Sequence, residues 1–480
     1  MKYVNSLCTQ VSQELQISTE SEDPIFTDTV IIGNGPSGIA LSFLLAGNWP
    51  FYNGDEHPDE LLNARLKTCS KHIPLLLQDL EFLSQSMEGR CRNQISNLID
   101  ALTHPNSELE INHPSVLEYQ YLPDKFVDHI VIGKGTPGGL WQNIDKDIRT
   151  LSFSNWMSLP GLPFEVWENK VDVEIRRVEA GLVAQYYEEY VKLMKLSKYF
   201  RNNSQVIRIE PKSAEDGRVR WQVFGYDNEQ NKSFTYKCHR VILATGTSDV
   251  PNIVNVPGEF SFMGRVFHCL TGFEKAIEDL VNRNSQIVND VRSVDPVLIV
   301  GSGFSAFDAA VCARKYKIPI MHLVRKDAIP AVERQLNRIY YPEYFELKEL
   351  ENTVPAMYKQ YVEYTLSEIQ MKRGKLVITM RSPETELTSY TVSLVAILTG
   401  SRADLSYLPI SYQNGKVLAI DASKGIDSKH NSIQINPLSH QIIKAPDGLY
   451  ALGPLVGDNF VRCTLGGAIT VGSDIAKSRE

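Results

Sequence analysis

Thr29–Ala40 reads TVIIGNGPSGIA: four strand-forming residues, a glycine turn spaced G-x-G-x-x-G through Gly33, Gly35 and Gly38, and a helix start that includes Pro36 and Ser37. Glycines at that spacing let the backbone approach a pyrophosphate, and the free N–H groups at the helix start favour its charge. Such a unit is normally closed by a second strand that carries, about 20 residues on, a carboxylate for the ribose. Counting forward reaches WPFYNGDEHP, Trp49–Pro58, which is no ordinary strand. Asp55 and Glu56 stand at the right spacing if PFY is a very short strand; otherwise something interrupts the unit.

A second turn lies about 270 residues on. DPVLIVGSGFSAFDAAVCARKYKIPIMHLVRK, Asp295–Lys326, runs through strand, turn, helix and second strand without interruption. Gly301, Gly303 and Ala306 form this turn, with Phe304 and Ser305 opening the helix. The second strand ends in Arg325-Lys326, 24 residues after the first glycine. An NAD site places a carboxylate there, whereas two cations suit the 2′-phosphate of NADP. The plainer alternative is a solvated charge pair closing a strand, and Asp327 next door weakens the cationic character. NADPH is the expected ligand of this unit, and FAD that of the first, because flavin passes nicotinamide hydride on to other acceptors.

Further pieces fit that arrangement. VILATG and VAILTG are apolar strands ending in Thr245-Gly246 and Thr399-Gly400, suited to crossings between two dinucleotide domains. GKGTPGGLW, from Gly133, supplies Gly138, Gly139, Leu140 and Trp141 after a short β-like run. Near the C-terminus, GLYALGPLVGDN puts Gly457 and Asp458 between a strand and a helix start, where a helix N-terminus approaches the flavin pyrimidine end. Between the first turn and GKGTPGGLW, residues 53–125 hold two helix-like stretches, PLLLQDLEFLSQSMEGR and RNQISNLIDALTH, read as a helical insertion.

At 480 residues the chain is long for one core and favours two or three domains. A net charge of −8, with no long Lys/Arg block, argues against a nucleic-acid surface. No apolar run reaches the length of a membrane span. Residues 1–24 form a polar lead-in, expected to lack stable structure, with neither a signal core nor the Arg-rich character of a transit peptide. The expected location is cytoplasmic, not secreted, with association with organelles left open. Seven scattered cysteines with no close pair suit reduced thiols and disfavour a dithiol redox centre.

The order VIIGNGPSG, GGLW, FSNWMSLPG, VILATG, FMGRVFHC and VGSGFSA resembles flavin-containing monooxygenases and their N-hydroxylating and Baeyer–Villiger relatives. More closely, IIGNGPSGIALSFLLAG, GKGTPGGLW and LYALGPLVGDNFVRC resemble the oxidative stress-induced growth inhibitor family, over residues 28 to 475. The resemblance implies an enzyme of the NADPH-dependent flavin monooxygenase class. NADPH reduces FAD, O2 adds to give a C4a-(hydro)peroxyflavin, and a soft small-molecule nucleophile takes one oxygen atom. It also implies a growth-regulatory role, with regulatory protein partners left open. In the relatives an Asn in the F-S-N loop helps hold the oxygenated flavin; Asn155 matches it, and a plain turn-capping Asn is the competing reading.

Two departures stand out. Phe262, Gly264 and His268 match the monooxygenase fingerprint, but the aromatic after them, Phe273, comes one residue late, so His268 reads as a structural linker histidine. The acidic ribose ligand preceding GGLW in the relatives falls near Gly133-Lys134, where no carboxylate stands. Tyr340, Tyr341, Tyr344 and Phe345 suggest either a substrate passage or, more commonly, aromatic packing between domains. The competing functions are a regulatory protein with structural FAD and an NADPH oxidase or reductase releasing H2O2. The expected fold is α/β with two Rossmann-like dinucleotide-binding domains. An NADPH domain, 251–389, is inserted in a discontinuous FAD domain, 25–250 and 390–480.

Overall fold

The run TVII becomes a strand buried on both faces, β1 (Thr29–Ile32), as expected of a continuous apolar run inside a parallel sheet. α1 (Pro36–Leu45) follows, opened by proline in its first turn and buried over nine of its ten residues. In this computed structural model the described residues are 23–109, 111, 113–170, 176–213, 219–283, 294–325 and 336–479. The lead-in expected for residues 1–24 therefore lies almost wholly outside the described residues, as does Lys326.

After α1 the chain leaves the sheet. β2 (Asn48–Tyr52) pairs antiparallel with β3 (Leu117–Tyr121), and the helices α2 (Glu60–Leu66), α3 (Leu80–Ser84) and α4 (Gln94–Thr103) lie between them. Asp59 and Asp79 start α2 and α3 by accepting the N–H groups of Leu62 and Phe82. The stretch expected as one helix from Pro74 is thus split: Leu75–Leu77 makes a single 3₁₀ turn and Asp79 begins a new helix.

β4 (His129–Ile132) then returns to pair in parallel with β1, Thr29 opposite His129 and Ile32 opposite Ile132. The missing second strand is β4, displaced by the insertion. PFY belongs to β2, outside this sheet; beyond it Asp55 accepts from the Asn53 side chain, and exposed Glu56 pairs with Lys67. Neither carboxylate stands at the end of the second parallel strand.

α5 (Ala180–Leu193), β5 (Phe200–Arg201), an antiparallel meander of β6 (Ser204–Ser213), β7 (Val219–Asp227) and β8 (Lys232–Cys238), and β9 (Arg240–Leu243) follow. Next come β10 (Val266–Phe267), α6 (Leu270–Arg283), β11 (Val297–Val300), α7 (Phe304–Lys315), β12 (Ile320–Val324), α8 (Pro342–Thr353) and β13 (Tyr358–Val362). A second antiparallel meander, β14 (Thr365–Lys372), β15 (Lys375–Arg381) and β16 (Leu387–Val392), precedes β17 (Val395–Ile397), β18 (Leu449–Ala451) and α9 (Val461–Lys477).

Two five-stranded parallel sheets result, ordered β18-β9-β1-β4-β5 and β10-β17-β11-β12-β13. In each, the strand that runs into a glycine turn is central, flanked by its own second strand on one side and on the other by a strand ending in Thr-Gly. That shared layout brings each glycine turn against a neighbouring backbone. A Cβ on Gly33, where φ is +115°, would stand 2.3 Å from the Ala244 carbonyl oxygen; one on Gly301 would stand 2.2 Å from that of Leu398. Both positions exclude any larger side chain, for reasons of space and of backbone conformation.

His129 opens β4 fully buried. Its Nδ1–H donates to the Val127 carbonyl at 2.8 Å, its Nε2 accepts from the Ser42 hydroxyl at 2.8 Å, and Tyr199 stacks on the ring. Burial holds this imidazole neutral, with its pKa brought down to about 4.

Gly33→Ala is expected to destabilise the protein by about 3 kcal/mol, read from urea unfolding or from loss of soluble protein, since the obstructing atom is backbone. His129 makes stability pH-dependent. An unfolded imidazole takes its proton near pH 6.5 and the folded one near 4, so the contribution is whole above 6.5 and declines as pH falls towards 4. The loss reaches up to about 3 kcal/mol. Urea midpoints measured from pH 7 to 4.5 should fall, and His129→Gln should remove about one proton from that slope.

Candidate functional site

The first glycine turn sits at the carboxyl ends of β1, β4 and β9, where open α/β sheets bind ligands. The Gly138 N–H donates to the Asn34 carbonyl at 2.9 Å, and the Asn34 side chain donates to the Gly135 carbonyl at 2.7 Å and to the Asn202 side chain. Gly139 lies directly on Gly35: a Cβ on Gly139 would stand 2.9 Å from the Gly35 Cα. Gly453, just after β18, packs equally closely on the Ser37 hydroxyl. Thr245 is adjacent to Gly33, while a Cβ at Gly246 or Gly135 would meet nothing within 4 Å. Gly33, Gly35, Pro36, Ser37, Gly38, Gly138, Gly139, Thr245 and Gly246 therefore gather around one crevice that is open above the strand ends. Leu140 is exposed beside it, and Trp141 turns inward against Tyr187.

The end of β4 carries Gly133 and Lys134, so no carboxylate stands on the second strand itself. Two carboxylates reach it from elsewhere: the Lys134 ammonium lies 3.2 Å from Asp249 and 3.7 Å from Asp404. Burial opposes the charge on Asp404, but bonds from Ser406 and the nearby Lys134 hold its carboxyl below the usual range. Sequence spacing had no means of finding this pair, because Asp249 and Asp404 follow the two Thr-Gly strands.

Gly457 and Asp458 do not face the crevice in the expected way. Asp458 is 1% exposed, and its carboxylate accepts from the Arg92 N–H at 3.0 Å, the Asn93 side chain at 2.9 Å and the Ser96 hydroxyl at 2.7 Å. Arg92 also covers Gly457, with its Cδ 2.4 Å from where a Cβ would be. The helical insertion that interrupts the first unit folds back onto the start of α9 and binds Asp458, in the segment expected to approach the flavin pyrimidine end. Burial pushes the Asp458 carboxyl up, opposed by His440 and by those three donors.

The same junction corrects the reading of the cysteines. Cys91, ahead of α4, and Cys463, in the first turn of α9, form a disulfide with Cα atoms 5.6 Å apart across a sequence separation of 372. Cys69, Cys238, Cys269 and Cys312 are free, and Cys8 lies outside the described residues. Sequence proximity could not reveal a pair that meets only after the insertion docks. Beside it Arg462, nearly fully buried, pairs with Asp100 at 3.1 Å, donates to Ser107 and lies 4.5 Å over the Trp156 ring.

Trp156 belongs to a single helical turn, Ser154–Met157. Asn155 is half-buried there, its carbonyl accepting from the Ser158 N–H. The fold thus carries the F-S-N segment to the N-terminal turn of α9.

At the second turn, a Cβ on Gly303 would meet nothing within 4 Å, leaving the N-terminus of α7 open above Phe304 and exposed Ser305; buried Ala306 packs beneath Gly301. Arg325 is exposed at the end of β12, and its N–H donates to the Ser302 hydroxyl at 2.8 Å. Thr399 and Gly400 accept from Asn252 and so tie the two crossing segments together. His268 bonds buried Glu259 at 2.8 Å and stacks on Phe260, which fits a structural role. The tyrosine cluster packs rather than lining a passage: Tyr341 and Tyr344 are buried, Tyr341 donates to the Leu151 carbonyl, and Arg177 joins Glu343 at 2.5 Å.

Residues 122–424 match the family model described as pyridine nucleotide-disulphide oxidoreductase. Oxidative stress-induced growth inhibitor 1 of Mus musculus is 36% identical over 481 residues, covering 96% of this chain and 97% of its own. Growth inhibitor 2 of Homo sapiens is 34% identical, covering 92% of each. The chain belongs to the oxidative stress-induced growth inhibitor family. Among solved structures, this family member shares its fold with the bacillithiol disulfide reductase of Bacillus cereus (TM-score 0.58, 16% identity, 95% of this chain and all of that one). It shares it also with the ornithine hydroxylase of Pseudomonas aeruginosa (TM-score 0.56, 12% identity, likewise 95% and all). The fold is that of α/β flavoproteins, common to reductases and monooxygenases. No helix of the described residues is long and apolar enough to cross a membrane.

Cys463→Ser is expected to cost about 2–4 kcal/mol in chemical unfolding. Hydrogen exchange should quicken at α4 and the first turns of α9 while the β11–β12 core keeps its protection.

Proposed function

We propose that this growth inhibitor family member is an NADPH-dependent FAD monooxygenase acting on a soft small-molecule nucleophile with O2. What supports the reading is the duplicated geometry: two parallel sheets of the same layout, each with a glycine turn seated on a neighbouring carbonyl, the second turn open above Gly303 and the first packed at Gly35 by Gly139. Residues 25–250 and about 400–480 make up the FAD domain and 251–399 the NADPH domain; the boundary expected at 389/390 moves because β17 (Val395–Ile397) pairs with β10 and β11 of the second sheet. FAD, when bound, accepts hydride from NADPH and reacts with O2.

The chain supplies the rest. Gly33, Gly35, Gly38 and the start of α1 receive the FAD pyrophosphate. Asp249 and Asp404, gathered by Lys134, stand in for the missing ribose carboxylate. The Ser154–Met157 turn with Asn155, backed by Trp156 and Arg462, walls the crevice and limits water. Gly301, Gly303 and the start of α7 receive the NADPH pyrophosphate, with Arg325 and Lys326 as partners for its 2′-phosphate. A cytoplasmic location is part of the proposal, as is a growth-regulatory effect downstream of the oxidant chemistry.

Purified protein should be yellow and should be bleached by NADPH without oxygen. Arg325→Ala is expected to raise the KM for NADPH about tenfold or more while leaving that for NADH within twofold. In air, amines or thioethers should lower the H2O2 released per NADPH consumed. Full H2O2 yield with every nucleophile would make the protein an oxidase. Colourless protein, or FAD that NADPH cannot bleach, would sink the enzyme reading in favour of a regulatory one.

A further inference from the structure

β12 carries an imidazole into the core of the second sheet. His322 is fully buried, level with Ile299 of β11 and Gln360 of β13. Its Nε2 lies 3.0 Å from the Gly301 carbonyl oxygen and its Nδ1 2.9 Å from the Tyr358 hydroxyl. A carbonyl can only accept, so Nε2 carries the proton and Nδ1 accepts from Tyr358. Tyr358 in turn accepts from the Gln360 side chain at 3.1 Å, and the Phe307 ring packs edge-to-face with the imidazole.

The acceptor is what sets this histidine apart. His129, the comparable buried imidazole, bonds groups at the opposite end of its strand from the first glycine turn. His322 bonds the first glycine of the second turn. A trans peptide points its C=O and N–H in opposite directions. With the Gly301 oxygen drawn inward to the imidazole, the Ser302 N–H faces away from it. The Ser302 hydroxyl is held separately by the Arg325 N–H at 2.8 Å. Gly301 itself cannot shift towards its neighbour, because Leu398 blocks that side.

We propose that His322 is a positioning residue that presets the Gly301–Ser302 peptide to receive the pyrophosphate of a nicotinamide dinucleotide. This rests on the reading of the second turn as a dinucleotide site. Burial keeps the imidazole neutral, its pKa brought down to about 4, so the bond to Gly301 persists at physiological pH.

The test uses the purified, FAD-loaded full chain, with NADPH affinity read by fluorescence titration and FAD content as the internal control. His322→Phe keeps the ring volume and loses the donor; it should weaken NADPH at least tenfold with FAD content unchanged. His322→Gln, which can still donate to Gly301, should stay within about threefold of the parent protein. Tyr358→Phe removes a bond from the same buried cluster without touching Gly301 and should also stay within threefold. Equal losses in His322→Phe and Tyr358→Phe would mark a general packing effect and overturn the proposal. If His322→Phe does not fold, histidine-labelled NMR of the parent protein decides. The His322 ring should carry its proton on Nε2 at pH 7 and shift on saturation with NADPH; the other tautomer, or no response, overturns the proposal. Parent protein that binds no NADPH would bring down the dinucleotide reading itself, whereas parent and His322→Phe proteins binding alike would bring down this inference alone.

Discussion

The contact between the first glycine of each turn and the backbone carbonyl of an adjacent strand is the constraint on which both sheets depend. Gly33 meets Ala244 and Gly301 meets Leu398 at distances that leave no room for a methyl group. The open crevice above the strand ends follows from that close seating. Thr245-Gly246 and Thr399-Gly400 then carry the chain away from the two carbonyls, which makes the four glycine and threonine segments one construction used twice.

Most of this was visible in the sequence because it is local. An apolar tetrapeptide, a glycine turn and a helix start lie within a dozen residues, and the second unit is uninterrupted from Asp295 to the end of β12. What escaped the sequence was set by contacts between distant segments. The second strand of the first unit is β4, nearly 100 residues after β1, and the spacing rule pointed instead to Asp55 and Glu56, which end on the outside of an antiparallel pair. Cysteine spacing gave no hint of Cys91–Cys463, since the two ends meet only through the docking of α4 on α9. Asp458 was placed correctly between strand and helix, but the direction of its carboxylate depends on Arg92, Asn93 and Ser96.

The insertion is therefore tied to the start of α9 and is not an appendage. It bonds the start of α9 in three chemically different ways: a disulfide, a buried carboxylate accepting three donors, and the Arg462–Asp100 pair. A cation in the first turn of a helix works against the helix dipole. Arg462 sits there all the same, in contact with Asp100 and Trp156, and so links the insertion to the Ser154–Met157 turn.

The first sheet is also assembled from far-flung pieces in a fixed order. β1 is made within the first 32 residues, but its sheet is not complete until β18 at residue 451, and α9 follows only at 461–477. On a ribosome adding roughly 5–20 residues per second, the early strands wait on the order of half a minute for their last companions. From the synthesis of β9 at residue 243 until β18 is made, β9 is an unprotected sheet edge, open to pairing with other chains. A chain that stops before β18 would therefore keep a permanently sticky flank, a substrate for chaperones and proteases.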